Sequence, residues 1–191
     1  MNLFEIIQFI GITEILFVLL LCSLGNPHRK RDSGRLPPVG LHDRGHLAPA
    51  ADMAFSGQTM ADSFFMSNMS PQKPAFNRGI WKNLEALVRY FAITERKIVV
   101  VTGPILPKEK TITIGTNQVT VPTHYYKVIF DLTPPQKMIG FILPNEGCDE
   151  PLATFSVTVD AVEKATGLNF FSRVPKEEQE RLESTISTKA W

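Results

Sequence analysis

The chain has 191 residues, 43% of them apolar, enough to bury one well-packed domain and too few for two comfortable ones. A formal net charge of +1 excludes a strongly basic molecule that would attract polyanions with its whole surface. The charge is uneven, because residues 29–97 carry 11 basic and 6 acidic side chains whereas residues 98–191 carry 9 and 11. The two cysteines, Cys22 and Cys148, exclude a disulfide framework or a cysteine zinc site within the domain.

The first segment of the chain is strongly apolar. Leu3 to Leu24 has the length of an export signal or a membrane anchor, with a buried N-terminal helix as the alternative. Proline, glycine and arginine then dominate residues 25–40, which predicts a linker. We therefore expect residues 1–24 to be a signal or anchor and 41–191 to be the folded domain, in a membrane-associated or exported protein.

The elements of the domain follow from hydrophobic spacing. Ser63 to Pro71 resembles a short strand running into a turn. A helix is predicted from about Arg78 to Phe91, because apolar residues recur there every three or four positions: Ile80, Trp81, Leu84, Leu87, Val88 and Phe91. Trp81 and Phe91 are expected in the core.

The second half of the chain is rich in β-branched residues. Lys97 to Pro104 is typical of a buried strand, and three more strand-length segments follow: Thr111 to Val121, His124 to Asp131 and Lys137 to Leu143. Helical spacing returns in Phe155 to Thr166, with Gly167 as a stop. This order predicts an α+β domain around a mainly antiparallel sheet.

Four residues on the first helix share one face, because Asn77, Trp81, Glu85 and Arg89 recur every four positions. An amide oxygen and a carboxylate suit Mg²⁺, with Mn²⁺ as the alternative, better than zinc. His46, in Asp43-Arg44-Gly45-His46, has a side chain suited to remove a proton from water near neutral pH. Together these residues predict a metal-dependent nuclease.

Each residue also has a simpler interpretation. His46 would be a polar residue beside a turn, Asn77 an N-cap, and Glu85 with Arg89 a surface ion pair.

Arg44 or Arg89 could balance charge on the reacting phosphate. Near the metal-site helix, Lys73, Arg78 and Lys82 are candidates for phosphate contacts, with a solvated charged face as the alternative.

Three sequence motifs resemble the DNA/RNA non-specific endonuclease family, which includes secreted bacterial nucleases and mitochondrial endonuclease G. The first is Asp43-Arg44-Gly45-His46-Leu47-Ala48-Pro49-Ala50-Ala51-Asp52. The others are Ser67-Asn68-Met69-Ser70-Pro71-Gln72 and Phe76-Asn77-Arg78-Gly79-Ile80-Trp81, while Thr102-Gly103-Pro104 and Tyr126-Lys127-Val128 resemble later strands. The resemblance extends from about Leu41 to Phe171.

The resemblance implies a ββα-metal (His-Me finger) site. The histidine matching His46 would be the general base, Asn77 would bind Mg²⁺, and Glu85 would hold a metal-bound water. Arg44 and Arg89 would lie near the phosphate, and Asn68 and Gln72 would belong to the surroundings of the site, which makes them candidates for nucleic-acid binding. The domain is short on its N-terminal side compared with the family.

The resulting hypothesis is an endonuclease for DNA and RNA with little sequence specificity. The alternative is an N-terminally truncated, inactive module that binds nucleic acid or is tethered to a membrane. A phosphodiesterase for a small nucleotide ranks third. Expected partners are DNA and RNA as substrates, a membrane contacted by residues 3–24, and a second copy in a homodimer.

Overall fold

A six-stranded sheet organises the fold of the residues that the computed structural model describes, 4–10, 14–21, 41–109, 112–186 and 191. In chain order the strands and helices are β1 (Phe4–Ile10), β2 (Glu14–Leu21), β3 (Asp43–His46), α1 (Gly57–Ser63), β4 (Met69–Gln72), α2 (Lys82–Glu95), β5 (Lys97–Ile105), β6 (Thr113–Ile114), β7 (Val119–Thr120), β8 (His124–Asp131), β9 (Lys137–Pro144), β10 (Ser156–Val157), α3 (Val159–Thr166) and α4 (Lys176–Glu183).

The sheet has the strand order β1-β2-β5-β8-β9-β10. Strands β5, β8 and β9 pair antiparallel, as predicted from their β-branched sequences, and β2 joins β5 in parallel. The predicted α+β class with a mainly antiparallel sheet is confirmed. The predicted strands at 97–104, 124–131 and 137–143 agree with the observed ones to within a residue.

The apolar N-terminal segment, predicted to be a signal or membrane anchor, contains strands in its described residues. Residues 4–10 and 14–21 form the antiparallel pair β1 and β2, and β2 pairs with β5 from Glu14 opposite Lys97 to Leu19 opposite Thr102. The apolar length that fits a spanning helix equally fits two strands, because both need a run of apolar residues. In the described parts of the chain, no helix is long and apolar enough to span a bilayer.

Two hydrophobic cores lie on opposite faces of the sheet, because successive side chains of a strand alternate in direction. On β8, Tyr125 and Ile129 belong to the core that contains Trp81. Tyr126 and Val128 belong to the second core, which packs against α3 and α4. The helix α2 therefore packs on the face of the sheet that carries the core with Trp81.

A second, two-stranded sheet lies on the α2 face. Strands β3 and β4 pair antiparallel, with Gly45 opposite Ser70 and His46 opposite Met69. A cap formed by Ser56, whose Oγ accepts from the backbone N of Thr59 at 3.1 Å, starts α1 within the connection between them. The strand predicted over Ser63 to Pro71 starts only at Met69, because α1 extends to Ser63 and a 3₁₀ helix occupies Met66–Asn68.

The predicted helix from Arg78 to Phe91 begins earlier and ends later. A wide π-helical turn, Phe76–Trp81, precedes α2, and the backbone leaves the helical region at Gly79 (φ −105°, ψ −112°). Trp81 and Phe91 are buried in the core, as expected.

Two further predicted elements are shorter than expected. The segment Thr111 to Val121 contains the short hairpin β6 and β7. The helix predicted from Phe155 starts only at Val159, because Thr158 caps it by accepting from the backbone N of Ala161. It ends at Gly167, the predicted stop, in the left-handed conformation (φ 75°).

Candidate active site

The candidate site is built on β3, β4 and the helix that follows them. Strand β3 ends at His46, and the π-helical turn and α2 carry Asn77, Glu85 and Arg89. One cleft of about 310 Å³ brings these four predicted residues together. Its lining residues are His46, Pro49, Ala50, Ala51, Asn77, Lys82, Glu85, Ala86 and Arg89.

The imidazole of His46 is half-buried at one wall of this cleft. Its ring stands edge-on to Phe64, with centroids 4.7 Å apart. Nε2 is buried and has no hydrogen-bond partner among the described residues. Burial lowers the pKa of His46, which favours the neutral form needed by a base.

The orientation of Asn77 is fixed by a carboxylate. Nδ2 of Asn77 donates to Oδ2 of Asp43 at 2.9 Å. An ionised carboxylate can only accept, so the amide nitrogen must face Asp43 and the amide oxygen must face away. Arg78 donates to both oxygens of Asp43, at 2.8 and 2.7 Å, and this contact lowers the pKa of Asp43 and keeps it ionised.

Glu85 lies deeper in the cleft. Burial raises its pKa to about 7, and the carboxylate of Asp52 acts in the same direction. The cations of Lys127 and Arg89 oppose this rise. A carboxyl group with such a pKa gains from any further cation placed beside it, because positive charge favours the ionised form.

Arg89 is held by a buried partner. Its Nε lies 2.6 Å from Oδ1 of Asp52, whose side chain is only 3% exposed. Burial raises the pKa of Asp52, whereas Arg89 and Lys127 lower it. Because Nε of Arg89 is bonded to Asp52, the two terminal guanidinium nitrogens are the ones that can bind a group in the cleft.

The donors in the cleft fit a hard divalent ion better than zinc. The amide oxygen of Asn77 and the carboxylate of Glu85 are oxygen ligands, and too few protein ligands are present for a closed tetrahedral site. Within the described ranges, a group of three His, Cys, Asp or Glu side chains close enough to share an ion occurs at Asp160, Glu163 and Glu183. That acidic group belongs to α3 and α4, on the opposite face of the sheet.

Five other residues predicted for the site do not line the cleft. Arg44 is exposed on β3. Lys73 pairs with Glu146, and Arg78 with Asp43, both near the surface. Asn68 and Gln72 are 6% and 0% exposed, so their predicted contact with nucleic acid does not fit their interior positions.

Asn68 and Gln72 instead shape the histidine strand from inside. The side chain of Asn68 accepts from the backbone N of Ala48 and donates to the carbonyl of Ala48, both at 2.9 Å. Gln72 packs against Gly45 so closely that a Cβ there would lie 1.9 Å from its Oε1. Asn68 therefore fixes the turn after His46, and Gln72 requires glycine at position 45.

The sequence prediction missed four residues of this region: Asp43, Asp52, Phe64 and Lys127. The two aspartates stand inside the Asp43 to Asp52 motif but carry no periodic signal of their own. Lys127 did offer a signal, because a lysine interrupts an otherwise apolar strand. The contact of Phe64 with His46 depends on the path of the chain through α1 and is invisible to local patterns.

Comparisons with known proteins place the chain in a family. The family model for the DNA/RNA non-specific endonuclease matches residues 24–177. The mitochondrial nuclease of Saccharomyces cerevisiae is 38% identical over 162 residues, covering 74% of this chain and 49% of that protein. Mitochondrial endonuclease G of Homo sapiens is 38% identical over 145 residues, covering 69% and 49%.

A solved structure agrees with these sequence matches. The crystal structure of the EndoG/EndoGI complex superposes with a TM-score of 0.65 at 37% identity, covering 71% of this chain and 61% of that chain. The chain spans about half the length of the curated relatives it matches. By its family match, this chain belongs to the DNA/RNA non-specific endonuclease family.

Proposed function

We propose that the chain is a metal-dependent endonuclease that hydrolyses phosphodiester bonds of DNA and RNA with little sequence specificity. The observation that carries this proposal is the meeting of His46, Asn77, Glu85 and Arg89 around one cleft. The names of the relatives, mitochondrial nucleases and endonuclease G, support it.

His46 acts as the general base. Its unprotonated ring nitrogen takes a proton from the attacking water, whose oxygen forms a bond to phosphorus while the bond to the leaving sugar oxygen breaks and that oxygen takes up a proton from solvent. In the neutral imidazole one nitrogen carries the proton and the other keeps the lone pair that this role needs. The lowered pKa of His46 keeps the ring neutral through the physiological range.

The cation would be held by the helix side of the cleft. Asn77 would bind Mg²⁺, or Mn²⁺ as the alternative, through its amide oxygen, and Glu85 would bind it through water. When bound, the ion neutralises charge on the scissile phosphate and on the leaving oxygen. Arg89 stabilises the charge that builds on the phosphate oxygens. Arg44 is exposed on β3, the strand of His46, and would contact the phosphate from the side.

Neighbouring cations would bind the rest of the nucleic acid. Lys82 lines the cleft, and Lys73 and Arg78 lie on the same side, next to β4 and the π-helical turn. Their contacts with phosphates would be independent of sequence. This arrangement suits an enzyme with little base preference.

Location and assembly remain predictions. The mitochondrial names of several relatives support a location in an organelle. The sequence-based expectations of an exported or membrane-associated protein and of a homodimer gain no support from the structure.

Digestion of supercoiled plasmid and of single-stranded RNA by the full chain tests this function. We expect cleavage of both in Mg²⁺, its loss in excess chelator, and its return when Mg²⁺ is restored. The alternative is an inactive binding module, and salt-sensitive DNA binding by folded protein without cleavage in Mg²⁺ or Mn²⁺ would establish it and overturn the endonuclease. Cleavage of a small diester with polymers left intact would instead indicate a phosphodiesterase.

A further inference from the structure

A lysine is buried in the core beneath the candidate site. Lys127 lies in the middle of β8, between Tyr126 and Val128, and is 1% exposed. Its side chain shares the direction of Tyr125 and Ile129, towards the core that contains Trp81. Burying an ammonium group is unfavourable unless partners compensate, so a lysine in this position calls for a physical role.

The ammonium of Lys127 has three kinds of partner around it. Nζ donates to the carbonyl of Leu47 at 3.1 Å and to Oγ1 of Thr102 at 3.3 Å. It also lies 4.4 Å from the centroid of the Trp81 ring, a cation–π distance. Burial lowers the pKa of Lys127 to about 8, while the carboxylates of Glu85 and Asp52 oppose the change.

The contact with Leu47 reaches the residue directly after His46. The other backbone groups of this turn are also held: the carbonyl of His46 accepts from Nε1 of Trp81 at 3.3 Å. The backbone carbonyl of Asn68 accepts from the backbone N of Leu47. The side-chain amide of Asn68 bonds to both the backbone N and the carbonyl of Ala48. Lys127 differs from these partners because it belongs to the central six-stranded sheet, whereas Trp81 and Asn68 belong to the segment of chain between β3 and α2.

Lys127 thus connects two parts of the fold at the candidate base. Leu47 and Lys127 are 80 residues apart in sequence, and β8 is paired on both sides, by β5 and β9. A strand paired on both sides is a rigid support, whereas the turn after His46 lies at the end of a four-residue strand. The hydrogen bond from Lys127 to Leu47 therefore holds the turn after His46 in a fixed position relative to the central sheet.

We propose that Lys127 is a positioning residue that holds the Leu47 carbonyl and thereby sets the place of the His46 imidazole in the cleft. The inference rests on the proposed function, in which His46 is the base. It does not make Lys127 a catalytic residue, because Lys127 is enclosed in the core and does not line the cleft; it acts there through its bond to Leu47 and through its charge near Glu85.

Two variants separate this role from general packing. Lys127→Met keeps the length of the side chain and removes the donor, and Thr102→Val removes the other hydrogen-bond partner of the ammonium while leaving its bond to Leu47. We expect Lys127→Met to lower kcat about tenfold or more, with KM changed less than about threefold, because misplacing a reacting group impairs chemistry more than binding. Thr102→Val should keep kcat within about twofold of wild type, because the bond to Leu47 remains.

A second measurement reports on the position of His46 without using activity. The chain has four histidines, and His46→Ala identifies the imidazole signals of His46 in a proton–carbon correlation spectrum. Because Phe64 lies against the His46 ring, a small displacement changes the ring-current shift of those signals. Lys127→Met should move the His46 signals and leave those of His124 in place, whereas Thr102→Val should move neither.

The outcomes distinguish the inference from the proposed function. Wild-type protein without nuclease activity would reject the function, and the spectra would still test the position of His46. The positioning role is overturned if folded Lys127→Met shows wild-type kcat, if kcat falls with unmoved His46 signals, or if all histidine signals shift alike. Should Lys127→Met not fold, Lys127→Arg keeps the charge and forces a larger head against the Leu47 carbonyl. Folded Lys127→Arg should reproduce the shift and the loss of kcat, and wild-type behaviour in both would overturn the role.

Discussion

The amide nitrogen of Asn77 donates to the carboxylate of Asp43 at 2.9 Å, and this bond decides which end of the amide can meet a cation. Asp43 lies three residues before His46, so a single short strand carries both the proposed base and the group that orients the proposed metal ligand. A second partner, Arg78, keeps Asp43 ionised and therefore an acceptor only.

Substitution of Asp43 should therefore weaken metal binding without removing a ligand. Asp43→Asn keeps the shape of the side chain but can donate as well as accept, so the Asn77 amide is no longer held in one orientation. We expect the Mg²⁺ concentration for half-maximal cleavage to rise roughly tenfold to hundredfold. Asp62→Asn is the matched control, because it makes the same change at a carboxylate that lies outside the cleft and bonds to Gln58, so the Mg²⁺ requirement should stay at the wild-type value. An unchanged Mg²⁺ requirement in Asp43→Asn would contradict the assigned orientation.

Gly45 and Gln72 form a tightly packed pair across β3 and β4. A Cβ at position 45 would lie 2.6 Å or less from three atoms of the Gln72 side chain. Gly45→Ala should lower the free energy of unfolding by about 1–3 kcal/mol, measured by urea denaturation, because the buried glutamine must move. Adding Gln72→Ala makes room, so the double variant should lose less than the sum of the two single losses. Additive losses would show that the two residues do not compete for this space.

The buried carboxylate of Asp52 makes Arg89 important for stability as well as for the proposed chemistry. Arg89→Ala leaves Asp52 without its ion-pair partner at 2.6 Å. We expect a loss of about 2 kcal/mol in the free energy of unfolding, together with a fall in kcat. Asp52→Ala combined with Arg89→Ala should restore part of the stability and none of the activity. Recovery of activity in the double variant would show that Arg89 acts only by supporting the fold.

Burial of His46 predicts the midpoint of its titration. A lowered pKa means that the ring takes up a proton, and is lost as a base, only at a pH below 6.5, the value of an exposed imidazole. Phe64→Ala uncovers the ring and should move this midpoint upward, towards 6.5. A titration of the His46 imidazole signals measures the midpoint, whereas a pH profile of kcat/KM also contains the titration of Glu85, whose pKa is about 7. A wild-type His46 midpoint above 6.5 would contradict the role of burial.

Sequence predicted most reliably the elements whose pattern is local. The strands at β5, β8 and β9 and the apolar face of α2 follow from spacing within one segment, and the same spacing brought Asn77, Glu85 and Arg89 to one face. The chemistry of an imidazole, supported by the family resemblance, added His46 to these residues, and the structure puts all four side chains around one cleft.

Features that depend on distant contacts were beyond local patterns. The strand β4 is short because its partner β3, far back in the sequence, has only four residues and because a 3₁₀ helix occupies Met66–Asn68. The apolar N-terminal segment gave no means of choosing between one spanning helix and two strands. The burial of Asn68 and Lys127 depends on hydrogen bonds to Ala48 and Leu47, which only the folded chain brings near.

Comparison of His46→Ala with His124→Ala tests the proposed function most directly. His124, at the start of β8, lies outside the cleft, so its removal controls for the loss of an imidazole elsewhere on the molecule. Initial rates of plasmid cleavage in Mg²⁺ should fall by roughly a hundredfold to ten-thousandfold in His46→Ala, the usual contribution of a general base, and stay near wild type in His124→Ala. Folded His46→Ala that cleaves at the wild-type rate would contradict the assignment of His46 as the base.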